Sequence, residues 1–231
     1  MSADASLTML SSMATRGLLT DLLADFGRRT THSVRLESAG GVDVARRVQG
    51  GEAVDLVVLA ANAIDQLIDS GRLLAGSRVD VVRSGMGIAV QTGQWRPDVG
   101  SEAAVRQAVL DAPTIGYSTG PSGKYLVALF ERWGIAQQIA SRIVQAPPGV
   151  PVAALVARGD VALGFQQLSE LLGVPGIDVL GPLPPEIQHV TVFAAAVSAT
   201  CAQPDAARAL LDSLAGADAA ACKRQHGMEP A

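Results

Sequence analysis

Apolar residues in this chain recur with two alternating periods. Ser6–Leu10 and Ser33–Glu37 read as short strands, and Val54–Ala60 is a near-continuous apolar run of the kind buried on both faces of a parallel sheet. Between the first two, Leu18, Leu19, Leu22, Leu23 and Phe26 fall on one helical face. Val42–Val48 predicts a second helix, and Asn62 with Asp65 reads as a capping pair that opens a third, ended by Gly71. Strand alternating with helix is the signature of βαβ construction.

Val79–Val90 is apolar for two strand lengths with an interruption at Ser84-Gly85, where the chain is expected to cross to a second lobe. A helix from Ser101, a strand at Thr114–Tyr117 and a helix presenting Leu126, Leu129, Phe130 and Trp133 follow. Ile143-Val144 and Val161–Phe165 read as strands that flank a helix with Val152, Leu155 and Val156. Gly173–Gln188 is rich in Pro and Gly and reads as a loop-bounded edge. Thr191–Ala199 is a returning strand, and Pro204-Asp205 opens a helix with Leu210, Leu211 and Leu214 on its buried side. The expected architecture is α/β with two lobes, each a mostly parallel sheet flanked by helices, and two crossing strands as hinge. Lobe I would comprise residues 1–83 with 195–231, lobe II residues 84–194, with a ligand cleft between them.

Composition narrows the functional classes. With 3% aromatic residues, a formal net charge of −4 and no basic run, the chain lacks the footprint of a nucleic-acid binder. No run reaches the roughly 18 apolar residues of a membrane span, so membrane insertion is not expected. The opening Met1-Ser-Ala-Asp-Ala lacks the basic and apolar regions of a secretory leader. The expected location is periplasmic if a leader has been removed and cytoplasmic if the sequence is whole. Cys201 and Cys222 stand in no metal or redox spacing, and His32, His189 and His226 are far apart. No metal and no cofactor are expected, and the protein should be a monomer.

The candidate chemistry lies where strands hand over to helices, because unpaired amides and the positive dipole end attract anions there. Candidate ligand-binding residues at these junctions are Ser11, Ser12 and Arg16, then Ser38, Gly40 and Gly41, and then Ser118, Thr119, Ser122, Gly123 and Lys124. Val150 and the pair Gln166-Gln167, placed just after the strand ending at Phe165, complete the set. Arg16 and Lys124 each put a cation in a first helical turn, against the dipole, which points to a carboxylate-binding role. Gly120-Pro-Ser-Gly-Lys124 lacks the spacing of a nucleotide phosphate loop.

Ordered motifs carry a resemblance over nearly the whole chain: the opening strand followed by Ser11-Ser12, Ser38-Ala-Gly-Gly41, Gly50-Gly-Glu-Ala-Val-Asp-Leu-Val-Val58, Gly159–Phe165 and Gly227-Met-Glu-Pro230. The chain resembles the molybdate-binding family of periplasmic solute-binding proteins, whose fold is type 2. The resemblance implies that Ser12 and Ser38 match the family's oxyanion-binding serines, whereas Gln167 stands where a tyrosine is usual. That departure counts against molybdate itself, and Arg16, Lys124, Gln166 and Gln167 suit a larger ligand with several carboxylates; the expected ligand is a small anion, a di- or tricarboxylate or a molybdate-like oxyanion. Two functions are implied, with binding the expected one and catalysis the alternative. One is the substrate-binding component of an ABC transporter, partnered by a permease. The other is an enzyme like the branch that includes aconitate isomerase, which moves a double bond in a tricarboxylate by proton abstraction and return. In the enzymatic case Lys124 is the candidate base if burial lowers its pKa, with Tyr117 and Tyr125 as weaker ones. A sensing role is a third expectation.

Overall fold

The computed structural model describes residues 6–147 and 149–231; the Met1–Ala5 opening read for a leader lies outside them. In chain order the elements are β1 (Ser6–Ser12), α1 (Arg16–Arg29), β2 (Ser33–Ala39), α2 (Gly41–Gln49), β3 (Leu56–Ala60), α3 (Ala61–Asp69) and β4 (Val79–Gln91). There follow α4 (Glu102–Asp111), β5 (Ile115–Tyr117), α5 (Pro121–Arg132), α6 (Ala136–Ile139), β6 (Ile143–Gln145), α7 (Val152–Ala157), β7 (Leu163–Gln167), α8 (Leu168–Leu171) and β8 (Ile177–Pro182). The chain closes with β9 (Val190–Val197), α9 (Pro204–Ala215), α10 (Ala220–Gln225) and β10 (Glu229–Pro230). Two compact units result, one reaching to Ser84 and resuming at Val192, the other spanning Gly85–Thr191. The chain therefore changes unit inside β4 and again inside β9.

In the first unit β1 pairs in parallel with β2 and β3, and β9 runs antiparallel to β3. Strict alternation explains why β3 is apolar throughout. Leu56 and Val58 enter a core with Leu18, Leu19, Leu210 and Leu214 of α1 and α9, whereas Val57 and Leu59 enter a second core with Val44, Val48, Ile64 and Leu67 of α2 and α3. The second unit repeats the scheme. β5 pairs in parallel with β6 and β7, and β4 runs antiparallel to β7 and β8. One face packs Ile88, Val90 and Phe165 on α4 and α5; the other packs Ala89 and Val161 on α7.

Three local readings change. Asn62 and Asp65 do not cap α3: the helix starts at Ala61 straight from β3, its cap is Ala60, and no side chain bonds the first turn. β4 does not break at Ser84-Gly85 but continues for 13 residues, because its first half finds β10 and its second half finds β7 and β8 as ladder partners. β7 does not end at Phe165. It runs through Gln167, so both glutamines are strand residues, paired opposite Gly87 and Met86. The Pro- and Gly-rich segment does supply an edge strand, β8, whose pairing with β4 shifts register at Ile88/Ala89.

Candidate functional site

In the first unit the parallel register stacks three strand ends. Ser11 lies level with Ser38 on β2 and with Val58 on β3, and Ser12 lies level with Ala39. The consequence is a direct bond: Ser11 Oγ and Ser38 Oγ are 2.7 Å apart, and Ser11 Oγ also donates to the Ser12 carbonyl at 3.3 Å. Gly41, the first residue of α2, packs beside Ser12, whose Cβ would lie 3.7 Å from a methyl placed on Gly41. Thr15 donates to the Ser12 carbonyl at 3.1 Å and fixes the turn into α1. Ser12 is buried, yet its hydroxyl has no hydrogen-bond partner among the described residues, and Gly40 caps α2 without a side chain. Ser11, Ser12, Ser38, Gly40 and Gly41 thus form one cluster of small donors. Arg16, exposed at the start of α1, shares a surface groove with Ser38 and has no ion-pair partner among the described residues.

In the second unit β5 delivers its end to α5. Gly120 caps the helix, Pro121 occupies its first turn, and Lys124 N–H closes the first intrahelical bond to Gly120 O at 3.1 Å. The N–H groups of Ser122 and Gly123 meet no acceptor among the described residues, as first-turn amides do. Ser118 Oγ lies 3.3 Å from Ser122 Oγ and accepts from Gly120 N–H at 3.4 Å. A side chain at Gly123 is forbidden, since its Cβ would fall 1.7 Å from the Ser118 carbonyl oxygen. Ser118, Ser122 and Gly123 therefore come together; Thr119 and Lys124 stand exposed beside them, Lys124 without an ion-pair partner among the described residues.

The other candidates of this unit are already engaged. Val150 N–H donates to Pro147 O at 3.0 Å. Gln166 Oε1 accepts from Ala153 N–H in the first turn of α7 at 3.1 Å, while its Nε2 donates to Glu170 Oε1 at 2.8 Å. Gln167 Nε2 donates to Thr191 Oγ1 at 2.9 Å. Tyr125 donates to Ile187 O at 2.7 Å and stacks on His189, so its hydroxyl holds the segment before β9. Tyr117 is buried against Phe130, and burial raises its phenol above the usual range. Sequence reasoning missed Glu170. Burial pushes its carboxyl up to about 7 against the pull of the Gln166 donor. Its one sequence signal was the spacing of four from Gln166 across the strand-to-helix junction.

Small hydroxyl and glycine residues thus stand at helix openings in each unit, in a two-unit α/β chain that changes unit inside two strands. The sequence model of the family described as bacterial extracellular solute-binding protein matches residues 7–229, and this chain belongs to that family. The chain is similar to an aconitate isomerase from Pseudomonas sp, 35% identical over an alignment of 231 residues that covers 97% of this chain and 88% of that relative. Its fold is similar to the Azotobacter vinelandii periplasmic molybdate-binding protein, with a TM-score of 0.81 and 19% identity over 96% of this chain and 98% of that one. It is also similar to the tungstate ABC transporter structure from Geobacter sulfurreducens, with a TM-score of 0.74 and 16% identity over 96% and 99%. The fold is that of the type 2 periplasmic binding proteins. Among the described residues no helix is long and apolar enough to cross a membrane.

Proposed function

We propose that this chain binds a small tricarboxylate of the aconitate type through strand-end hydroxyls and helix-opening amides, and moves its double bond. The observation that carries the reading is the 35% identity to an aconitate isomerase along 97% of the chain, about twice the identity to the oxyanion carriers that share its fold. Chemistry at the junctions agrees with it. Hydroxyls and first-turn amides bind carboxylate oxygens, and the exposed Arg16 and Lys124, which have no ion-pair partner among the described residues, supply charge for further carboxylates.

In the reaction, a base removes a proton from the methylene carbon next to a carboxylate, leaving an allylic carbanion delocalised into the neighbouring carboxylates. The proton returns to the other end of the allylic system, so the double bond moves without redox change. Glu170 is the group whose affinity for protons suits this task near neutrality, because the efficiency of a base peaks when its pKa lies near the working pH. Amide donors stabilise the charge that develops on the carboxylates. Activity should then rise with pH through about 7 as Glu170 ionises. In Glu170→Gln the turnover and that pH limb should both disappear while tricarboxylate binding persists. Full turnover in this variant would remove Glu170 from the mechanism. Conversion in deuterium oxide should also place deuterium on the product methylene.

A second reading, delivery of an anion to an ABC permease, is favoured by the family's description as extracellular solute-binding protein. It predicts tight binding of molybdate, tungstate or a carboxylate with no change in the ligand.

A further inference from the structure

The first unit brings together a group of metal-ligand side chains from the two ends of the chain. Cys222 on α10 and His226, the residue that caps the C-terminal end of α10, lie four residues apart, a spacing that brings two side chains to one side. Asp21, on α1, meets them: His226 Nε2 lies 2.8 Å from Asp21 Oδ2, and one donor atom from each of Asp21, Cys222 and His226 lies within 4.8 Å of the others. The imidazole reaches this position because Gly17, one turn before Asp21, has no side chain. A Cβ there would stand 3.2 Å from His226 Nδ1.

The electrostatics lack a cation. Among the described residues Asp21 has no lysine or arginine partner, whereas the neighbouring Asp25 is paired with Arg28 and Arg29.

We propose that Asp21, Cys222 and His226 form a surface binding site for a divalent transition metal of the zinc class, with water completing the coordination. A thiolate, an imidazole and a carboxylate are the mixed donor set that zinc accepts in tetrahedral sites, with ligand bonds of roughly 2.0 to 2.3 Å. Drawing the donors onto one ion is a rotamer-scale movement of three partly or fully exposed side chains. Binding breaks the Asp21–His226 hydrogen bond and releases the Cys222 thiol proton, so affinity rises with pH. The ion would tie the last helix to the first.

The test is titration of the chelator-treated full chain with cobalt(II), followed by absorbance, then competition by zinc(II). One equivalent of cobalt should produce a thiolate-to-cobalt charge-transfer band, which zinc should abolish. Cys222→Ser should lose the band. His226→Asn should weaken binding at least about tenfold, since loss of even a supporting group costs that much. Cys201→Ser, which removes the other free thiol, should leave binding intact. Zinc should raise the melting temperature of the wild type and of Cys201→Ser only. Absence of the band in the wild type, its persistence in Cys222→Ser, or unchanged affinity in His226→Asn would each overturn the proposal. Tricarboxylate binding serves as the folding control for every variant.

Discussion

Gly123→Ala is the smallest change that separates the opening turn of α5 from the rest of the second unit. The methyl would stand 1.7 Å from the Ser118 carbonyl oxygen and 3.1 Å from Tyr117 Cδ2, and the closest of these atoms is backbone. Relief therefore requires the first turn of α5 to lift away from the end of β5 by more than about 1 Å, and overpacking on this scale costs about 3 kcal/mol or more. The same shift removes the Ser122 and Gly123 amides from a bound carboxylate, and losing two hydrogen bonds to a charged group, about 1.5 kcal/mol or more each, weakens binding about a hundredfold. Ser122→Ala is the comparison, because it deletes only a hydroxyl 3.3 Å from Ser118 Oγ and leaves the backbone where it is. Its stability should change by about 1 kcal/mol or less. Urea unfolding gives the stabilities and titration calorimetry with cis-aconitate gives the affinities. Wild-type affinity in a folded Gly123→Ala protein would refute the claim that these amides hold the ligand.

Other outcomes follow from named contacts. Ser38→Ala should cost about 1 kcal/mol of stability, since it strips buried Ser11 of its 2.7 Å partner, and should weaken the ligand about tenfold by calorimetry. Glu170 has its folded pKa raised from 4.5 to about 7, so the stability it gives as a neutral acid is complete below about pH 4.5 and is lost as pH rises through 7. Glu170→Gln should flatten that limb of a stability-versus-pH curve; an unchanged limb would show that the carboxyl titrates normally. Lys223 is buried, its ammonium has no hydrogen-bond or ion-pair partner among the described residues, and burial lowers its pKa from 10.5. The unfolded chain thus holds that proton more tightly, stability rises with pH up to the normal lysine range, and Lys223→Met should stabilise the protein most at low pH by urea unfolding.

Most of the fold was legible because apolar periodicity reports burial. β3 and α1 could be read directly, since their packing partners demand an unbroken apolar run and a helical stripe respectively. β4 was misread for a physical reason. Gly85 signals a bend only when the ladder on either side is absent, and here β10, β7 and β8 supply partners from far along the chain. The serine and glycine junctions were visible as residue types, but not the Ser11–Ser38 bond, which depends on the parallel register of β1 and β2. Gln166 looked like a free ligand donor because its two amide bonds go to Ala153 and Glu170, neither of which is adjacent in sequence. The Asp21–Cys222–His226 group was hidden by separation along the chain, as α1 and α10 meet only in the folded unit.

We propose that the anion held here is a tricarboxylate whose double bond moves. Proton NMR of cis-aconitate incubated with the purified chain at pH 7 to 8 tests it most directly. cis-Aconitate should convert to trans-aconitate with solvent deuterium entering the methylene, and should not convert with the Glu170→Gln chain. Binding of aconitate with no conversion, or stabilisation by molybdate or tungstate alone, would contradict it and leave an anion carrier.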